Sequence, residues 1–215
     1  MSDVPAAFTI AFAPGVTLTR WTRAWGQRQR SIPLAFIPTD AATQVTVLRE
    51  ALADVSFVRL PVDRAGLSVI PLYEEQPVVV LPREHDLARA ETITLAELEN
   101  ADRVSVSLSD QDAVELVAAG GGIVILPQSI ARMHDRKDVV AVPVADALTT
   151  TIAIAWLESN TTVQVEEFVG IVRGRTAASS RLVPTPKTEK PKKVVKPAKA
   201  GPARPKTRPR KPRGR

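Results

Sequence analysis

The N-terminal part of the chain alternates between apolar runs and amphipathic stretches. Runs rich in β-branched and aromatic residues at 8–13, 31–38 and 55–60 predict three strands. The stretches between these runs carry apolar residues at helical spacing, so each stretch predicts a helix. Strand, helix, strand, helix, strand with short links is typical of a parallel α/β unit with right-handed crossovers.

The first of these helices is predicted over residues 17–29. Leu18, Trp21 and Trp25 share one face of this helix, while three arginines lie on its other faces. We therefore expect both tryptophans to be buried against the sheet.

The second helix is predicted over residues 40–53. Asp40 is a residue type that caps helix N-termini, and Val45, Leu48 and Leu52 recur at the spacing of a buried stripe. The prediction is a helix that buries all three apolar side chains.

A run of four β-formers at 78–81, within YEEQPVVVLPREHDL, predicts a strand covered on both faces, because the run shows no alternation. Pro77 and Pro82 flank the run where neither removes a hydrogen bond of the sheet. The polar segment at 74–76 predicts a turn before the strand. The residues after Pro82 are charged, so we expect the chain to reach the protein surface there.

The second half of the apolar pattern is made of shorter pieces. Residues 103–108 (RVSVSL) alternate like a half-exposed strand, Ser109 or Asp110 can cap the helix that follows, and Gly120 fits the left-handed position after that helix. Further strands are predicted at 123–126, 139–144 and 150–157, and a short helix is predicted at 127–134. A last helix is predicted to begin with the capping box Thr161-x-x-Gln164 and to end at Gly174. Its apolar face is formed by Val165, Phe168, Val169 and Val172.

Charge divides the chain more sharply than hydropathy does. Residues 1–172 hold 13 Lys or Arg and 22 acids, whereas residues 173–215 hold 16 Lys or Arg and one acid, so the net charge of +6 conceals an acidic body and a basic tail. Proline is frequent and aromatic residues are absent after residue 176, so we expect residues 176–215 to be disordered.

Composition also excludes several kinds of site. The chain has no cysteine, so it has no disulfide, no thiolate nucleophile and no cysteine-bound metal. Its N-terminus lacks the pattern of a secretory signal, and no apolar run has the length of a membrane span. These observations favour a cytoplasmic protein without a membrane partner.

Several phrases of the sequence, in one order, resemble the effector-binding domain of LysR-type transcriptional regulators. They are VLREALADVSFVRLPVDRAGLSVIPLYEEQPVVVLPREHDLA, AVELVAAGGGIVILPQSIAR and IAIAWLESN. The resemblance implies an α/β, periplasmic-binding-protein-like (type 2) domain with two lobes and a ligand cleft between them. The implied boundaries are a domain at 1–175, with its first lobe at 7–80 and 145–173 and its second lobe at 81–144, and a tail at 176–215.

Two departures from the family pattern are expected. The winged helix-turn-helix that normally precedes the domain is expected to be absent, because the resemblance begins close to Met1. Only residues 99–112 separate the phrase LAEL from the next predicted helix, where the family usually adds another helix and strand. The second lobe is therefore predicted to be reduced.

Candidate ligand contacts lie at the carboxyl ends of the predicted strands, where open α/β sheets bind ligands and where helix N-termini offer free N–H groups. Alternating serines in the 103–108 strand would place hydroxyls across the cleft. The candidates are Pro14, Gly15, Thr17, Thr39 and Asp40 at strand ends, and Ser105 and Ser107 across the cleft.

These residues predict hydrogen bonding to a small polar effector. The alternative is that Thr17, Asp40 and Ser109 are ordinary helix caps and that the serines face water. Asp40 would also disfavour an anionic ligand beside it.

The residues predict no catalytic, cofactor or metal site. The three glycines at 120–122 follow a helix and precede a strand, the reverse of a phosphate-binding loop. His85 and His134 have no second ligand at helical spacing, so surface positions are expected. The adjacent acids Glu74 and Glu75 are expected to be solvated. The sequence therefore predicts a protein that is not an enzyme.

The tail predicts nucleic-acid contact, because clustered cations on a flexible chain bind polyanions by releasing counterions. Residues 212–215 (PRGR) resemble the Arg-Gly-Arg core of an AT-hook, which lies in a narrow A·T-rich minor groove. A solubilising tail is the alternative. The candidate contacts are Lys192, Lys193, Lys196, Arg204, Lys206, Arg208, Arg210, Lys211, Arg213 and Arg215.

Together these features predict a transcription-associated, nucleoid-associated protein. Its domain would sense a small molecule or dimerise, with residues 40–53 as the candidate dimer edge by resemblance, and its tail would contact DNA. Two alternatives stay open. The domain could pair with full-length LysR-type regulators, or it could be a solute-binding or enzyme domain on the same fold.

Overall fold

The computed structural model describes residues 7–105 and 108–175. The tail at 176–215, with every predicted nucleic-acid contact, lies outside the described residues, as does Ser107. The strands are β1 (Phe8–Phe12), β2 (Leu34–Pro38), β3 (Val55–Leu60), β4 (Leu67–Glu75), β5 (Pro77–Pro82), β6 (Val124–Pro127), β7 (Val139–Pro143) and β8 (Thr150–Leu157). The α-helices are α1 (Thr19–Arg28), α2 (Thr46–Arg49), α3 (Asp110–Ala118), α4 (Gln128–Met133) and α5 (Val163–Val172).

The first of two sheets has the strand order β2-β1-β3-β8-β4. β1 pairs in parallel with both β2 and β3, which confirms the parallel unit predicted from the alternating pattern. β8 lies antiparallel between β3 and β4, so a strand from late in the chain completes the sheet. The chain therefore leaves this sheet after β4 and returns to it at β8.

Aromatic side chains form the core between the first sheet and α1 and α5. Trp25 is 1% exposed and stacks on Phe8 with the ring centroids 4.7 Å apart. Trp21 is 9% exposed and stacks on Phe57 at the same distance of 4.7 Å. The prediction that both tryptophans are buried is confirmed.

The helix predicted over 40–53 is wrong in its extent. Only Thr46–Arg49 is α-helical, and Leu52 is 54% exposed instead of lying in a buried stripe. The Asp40 carboxylate caps a turn that precedes α2. Ala51 follows α2 with a left-handed φ of 54°, which ends the helix.

The second sheet has the order β6-β5-β7, and both of its pairings are antiparallel. Residues 78–81 of β5 are at most 2% exposed and contact apolar clusters on both faces, which confirms the predicted covered strand. The segment before β5 is not the turn predicted at 74–76, because β4 extends to Glu75. The change of sheet falls at Gln76, earlier than the boundary that the sequence sets near residue 80.

The helix α3 begins and ends as its sequence predicts. Ser109 is the N-cap, and its Oγ accepts a hydrogen bond from the N–H of Asp112 at 3.1 Å. Gly120 has a φ of +83° and donates its N–H to Val117 O at 3.0 Å. A residue with a side chain would be strained at this φ, which explains the glycine.

The strand predicted at 103–108 does not form as predicted. Arg103 makes an isolated parallel bridge with Ile123, and Val106, like Ser107, lies outside the described residues. In the described part of the second lobe, the sheet therefore consists of three strands, with a second isolated bridge between Ile93 and Val144.

The last helix, α5, buries its predicted apolar face but has a different cap. Thr162 Oγ accepts the hydrogen bond from Val165 N at 3.2 Å. Thr161 Oγ instead accepts from the Trp156 indole and donates to Glu158 O, both at 3.1 Å. The predicted capping box Thr161-x-x-Gln164 is wrong: the N-cap is one residue later, at Thr162, because Thr161 is bonded to Trp156 and Glu158 at the end of the preceding strand.

Candidate functional site

A cavity of about 610 Å³ opens between α4 and the loops at the carboxyl ends of β1 and β2. The loops belong to the first sheet, whereas α4 packs on the second sheet, so the cavity lies between the two lobes. Its volume falls in the range of small-molecule sites, about 300–1,000 Å³. Four of the predicted candidates line it: Pro14, Gly15, Thr17 and Thr39.

Asp40 is not among the residues that line the cavity. Its carboxylate accepts hydrogen bonds from the N–H groups of Ala42 and Thr43 at 2.9 and 2.8 Å, and from Thr43 Oγ at 2.7 Å. The bonds from Thr43 hold the pKa of Asp40 below its usual range. The Asp40 carboxylate therefore caps the turn that begins at Asp40.

Of the two serines predicted across the cleft, the structure describes only Ser105. Ser105 is exposed and does not line the cavity, and Ser107 lies outside the described residues. Ser109 caps α3. The second wall is instead formed by α4, through Ser129, Arg132 and Met133.

The two walls meet closely at Gly15. This residue has a φ of +81°, and a Cβ added to it would lie 2.5 Å from Ser129 Oγ. Both the backbone conformation and the space therefore require glycine at this position.

The N-terminus of α1 adjoins the cavity and has no side-chain cap. Leu18 occupies the N-cap position without a capping hydrogen bond, and the first turn has no acidic residue. Trp21 N and Thr22 N both donate to Leu18 O at 3.0 Å. This leaves the N–H groups of Thr19 and Arg20 without a partner among the described residues, and the helix dipole places partial positive charge at this end. This wall can accept an anionic or hydrogen-bond-accepting group.

Thr39 supplies a polar group without a partner. It is 7% exposed, and its Oγ is buried with no hydrogen-bond partner among the described residues. Buried hydroxyls almost always have a partner in protein structures, so this exception within a cavity wall indicates a place for a ligand or water.

Arg132 is the only charged residue among the described residues that line the cavity. It is exposed, and it takes part in none of the four ion pairs formed among the described residues. Its guanidinium is therefore free to bind an anion.

An ion pair between the partly buried Arg59 and the buried Glu75 lies beside the cavity, and the sequence did not predict it. Arg59 Nε donates to Glu75 Oε2 at 2.6 Å, and the Glu75 side chain is 3% exposed. Burial alone would raise the pKa of Glu75, but hydrogen bonds from Arg59, Ser129 and Thr150 outweigh it and lower that pKa. The expectation that Glu75 is solvated is wrong. A single arginine inside the apolar strand VSFVRL is the signal that could have revealed a buried partner.

Neither histidine belongs to a metal-binding cluster among the described residues. His85 Nδ1 accepts a hydrogen bond from Leu87 N at 3.1 Å. Across residues 7–105 and 108–175, no group of three or more His, Asp or Glu is placed to hold a metal ion. In the same residues, no helix has the length and apolar character needed to cross a bilayer.

Two α/β lobes with a cavity between them are the architecture of periplasmic-binding-protein-like domains. The family model of the LysR substrate binding domain matches residues 7–112 and 103–177. The chain belongs to this family. The two matched segments overlap at 103–112, where the sequence predicts the shortening of the second lobe.

The relatives found by sequence are transcriptional regulators. One is a probable hydrogen peroxide-inducible genes activator of Mycobacterium leprae (strain TN), 30% identical over 139 residues, which are 51% of this chain and 44% of the relative. Another is the HTH-type transcriptional regulator BudR of Raoultella terrigena, 27% identical over 173 residues, 66% of this chain and 59% of the relative. The chain thus spans about half the length of these relatives.

Solved structures show the same fold. The BenM effector binding domain with its effector benzoate superposes with a TM-score of 0.68 at 19% identity, covering 83% of this chain and 95% of that domain. This likeness confirms the type 2 periplasmic-binding-protein-like architecture predicted from the resemblance.

Proposed function

We propose that the domain at residues 1–175 senses a small molecule that carries an anionic group, and that it acts in transcription regulation without catalysis. The observation that supports this most strongly is the cavity of about 610 Å³ between the lobes. Among the described residues, the polar groups in or beside this cavity include the buried Thr39 hydroxyl, which has no partner, the N-terminus of α1, which has no side-chain cap, and the Arg132 guanidinium, which forms no ion pair.

An anion is the ligand chemistry that these three groups share. A hydroxyl can donate, helix N–H groups donate, and a guanidinium donates and carries the opposite charge. Asp40, the acid that the sequence placed beside the ligand, does not line the cavity. The repulsion expected from Asp40 therefore no longer argues against an anion.

The remaining walls favour an apolar body on the ligand. Phe12, Val16, Pro38 and Met133 line the cavity alongside the polar groups. A small carboxylic acid with an aromatic or aliphatic body meets both requirements. The BenM domain of the same fold carries benzoate as its effector.

The test is a calorimetric titration of the full chain with a panel of small aromatic and aliphatic carboxylic acids, with benzoate as its first member. Arg132→Gln removes the charge, and Arg136→Gln removes a neighbouring arginine that does not line the cavity. For a bound member of the panel we expect Arg132→Gln to weaken binding by about 10- to 100-fold, since a hydrogen bond to a charged group contributes about 1.5–3 kcal/mol. No binding by any panel member, or equal losses in both variants, would contradict the proposal.

We propose in addition that the tail contacts DNA. The support is charge: residues 173–215 hold 16 Lys or Arg against one acid, whereas residues 1–172 hold 13 against 22 and should repel phosphate. If about six tail cations meet phosphates at once, log K should fall with log[salt] at a slope of about −5.

Comparison of the whole chain with residues 1–175 at matched salt tests this second proposal. We expect truncation to abolish binding and a tail peptide to retain it. Changing Arg213 and Arg215 to Lys should reduce any A·T preference at a similar salt slope, because lysine lacks the planar guanidinium fork. Equal DNA affinity of the whole chain and residues 1–175 would contradict the proposal.

Pairing with a second copy, or with a full-length LysR-type regulator, is the further candidate. Two large apolar side chains favour it: Phe36 on the edge strand β2 is 48% exposed, and Leu52 after α2 is 54% exposed. Light scattering of the full chain, compared with Phe36→Ser and Leu52→Ser, tests this. A monomer at all concentrations, with no mass gain on adding a family regulator, would exclude it.

A further inference from the structure

We propose that Arg59, Glu75 and Ser129 form a clamp that fixes the separation of the two walls of the cavity. The clamp adds positioning residues to the ligand site and rests on the proposed function for its biological role. Its mechanical action does not require a ligand, so it can be tested on the chain alone.

Arg59 is held from both its backbone and its side chain. The buried Gln44 amide accepts from Arg59 N at 2.8 Å and donates to Arg59 O at 3.2 Å. The guanidinium donates to both oxygens of Glu75, with Nε–Oε2 at 2.6 Å and Nη2–Oε1 at 3.2 Å. Two-point pairing of this kind fixes the plane of the guanidinium.

The same guanidinium reaches the first wall of the cavity. Arg59 Nη2 donates to the carbonyl oxygen of Pro14 at 2.9 Å. Pro14 directly precedes Gly15, and both line the cavity. The position of the β1 loop is therefore tied to Arg59.

The Glu75 carboxylate reaches the second wall. Ser129 on α4 donates from Oγ to Glu75 Oε1, and it lies 3.5 Å from Arg59 Nη2. Ser129 and Arg132 are three residues apart on α4, so they lie on the same side of the helix. The carboxylate thus holds the helix that presents Arg132, the one cation among the described residues that line the cavity.

The clamp also sits where the chain crosses between the sheets. Glu75 is the last residue of β4, and Gln76 alone separates it from β5 in the second sheet. Thr150, the first residue of β8, donates to Glu75 Oε2 at 3.1 Å. The Glu75 carboxylate therefore lies at both places where the chain crosses between the sheets, from β4 to β5 and from β7 to β8. It contacts the α4 wall of the cavity directly and the β1-loop wall through Arg59.

Two hydroxyls that donate to the same carboxylate provide a matched pair of variants. Ser129→Ala removes the bond that joins the lobes, whereas Thr150→Val removes a bond within the first sheet. Each variant leaves the Arg59–Glu75 pair intact, so neither leaves a buried charge without its partner. A purely structural role of the network predicts the same effect from both variants.

The absence of native cysteine allows spin labels at two introduced positions, Arg23→Cys on α1 and Ala119→Cys after α3. Both sites are exposed, one over each sheet. Pulsed electron resonance on the full chain without ligand gives the distribution of the distance between the labels. We expect Ser129→Ala to add a longer-distance population, with an open-to-clamped ratio raised about tenfold, which corresponds to about 1.4 kcal/mol. Thr150→Val should keep the parent distribution.

Arg59→Lys gives an independent second variant. It keeps the charge beside Glu75 but loses the fork that bonds Pro14 and Glu75 together, so it should also add the longer-distance population. Parent distributions in both Ser129→Ala and Arg59→Lys, or equal broadening in Ser129→Ala and Thr150→Val, would overturn the clamp. A clamped domain that binds no carboxylic acid would contradict only the proposed function.

Discussion

Replacing Trp25 by Ala should remove a large part of the stability of the first lobe. The side chain is 1% exposed and stacks on Phe8 at 4.7 Å, with an edge contact to Phe168 at 5.7 Å. Its Nε1 donates to Ile32 O at 3.1 Å. The substitution removes the ring contacts that join α1 to β1 and α5, and it leaves the Ile32 carbonyl without this donor.

The expected magnitude follows from these contacts. Truncating a fully buried tryptophan to alanine costs about 3–5 kcal/mol, which includes the cavity left behind. Because domains of this size are stable by only about 5–15 kcal/mol, Trp25→Ala should lower the free energy of unfolding by a large fraction. Trp25→Phe keeps one ring against Phe8 and loses the hydrogen bond, so we expect a smaller loss of about 1–2 kcal/mol.

Urea unfolding followed by circular dichroism measures both losses, and it avoids reading a signal from the tryptophan that is changed. Leu148→Ala is the control, because Leu148 is 93% exposed and its truncation should change stability by less than about 0.5 kcal/mol. The reasoning is refuted if Trp25→Ala and Leu148→Ala unfold at the same urea concentration with the same slope.

Three further predictions concern a cap, a glycine and an acid. Thr162→Ala should cost about 1 kcal/mol in urea unfolding while Thr162→Ser keeps the cap, and equal losses in the two would contradict the cap assignment. Gly120→Ala should destabilise by about 1 kcal/mol because its φ is +83°, whereas Gly26→Ala in α1 should stabilise slightly, and the same sign in both would contradict this. The folded-state pKa of Glu75 is lowered, so its contribution is present above the unfolded value of about 4.3 and is lost as pH falls through the folded pKa. The stability gap between the parent and Glu75→Gln should therefore shrink only in acid, and a gap that stays constant down to pH of about 2 would contradict it.

The parts of the fold that the sequence predicted well are those that follow from the local spacing of apolar residues. The tryptophans of α1 and the unbroken apolar run of β5 each bury what their spacing requires, and neither depends on a distant partner. The predicted extent of α2 was wrong because the Asp40 carboxylate caps a turn before the helix and Ala51, with a left-handed φ, ends the helix early. The spacing of apolar residues gives no information about either feature. The cap at Thr162 was missed because the neighbouring threonine is bonded to Trp156, which precedes it in the chain but belongs to a different element.

The candidate site was predictable only on one side. The rule that ligands bind beyond strand ends correctly selected the Pro14–Thr17 loop and Thr39 as cavity-lining residues, although their role in binding stays a prediction. Arg132 and Ser129 could not be selected, because the placement of α4 opposite the first sheet follows from how the two lobes meet. The pairing of Arg59 with Glu75 likewise joins residues from two strands, and no spacing rule links them.

The most direct test of the central claim, that the cavity binds a small carboxylic acid, is an amide chemical-shift map of the isotopically labelled full chain titrated with the same carboxylic-acid panel. The account predicts saturable chemical-shift changes concentrated at the amides of residues 15–17, Thr39 and Gln128–Met133. The same ligand should lose most of these shifts in Arg132→Gln. Absence of saturable shifts for every panel member, or shifts that saturate elsewhere and leave those amides unchanged, would contradict it.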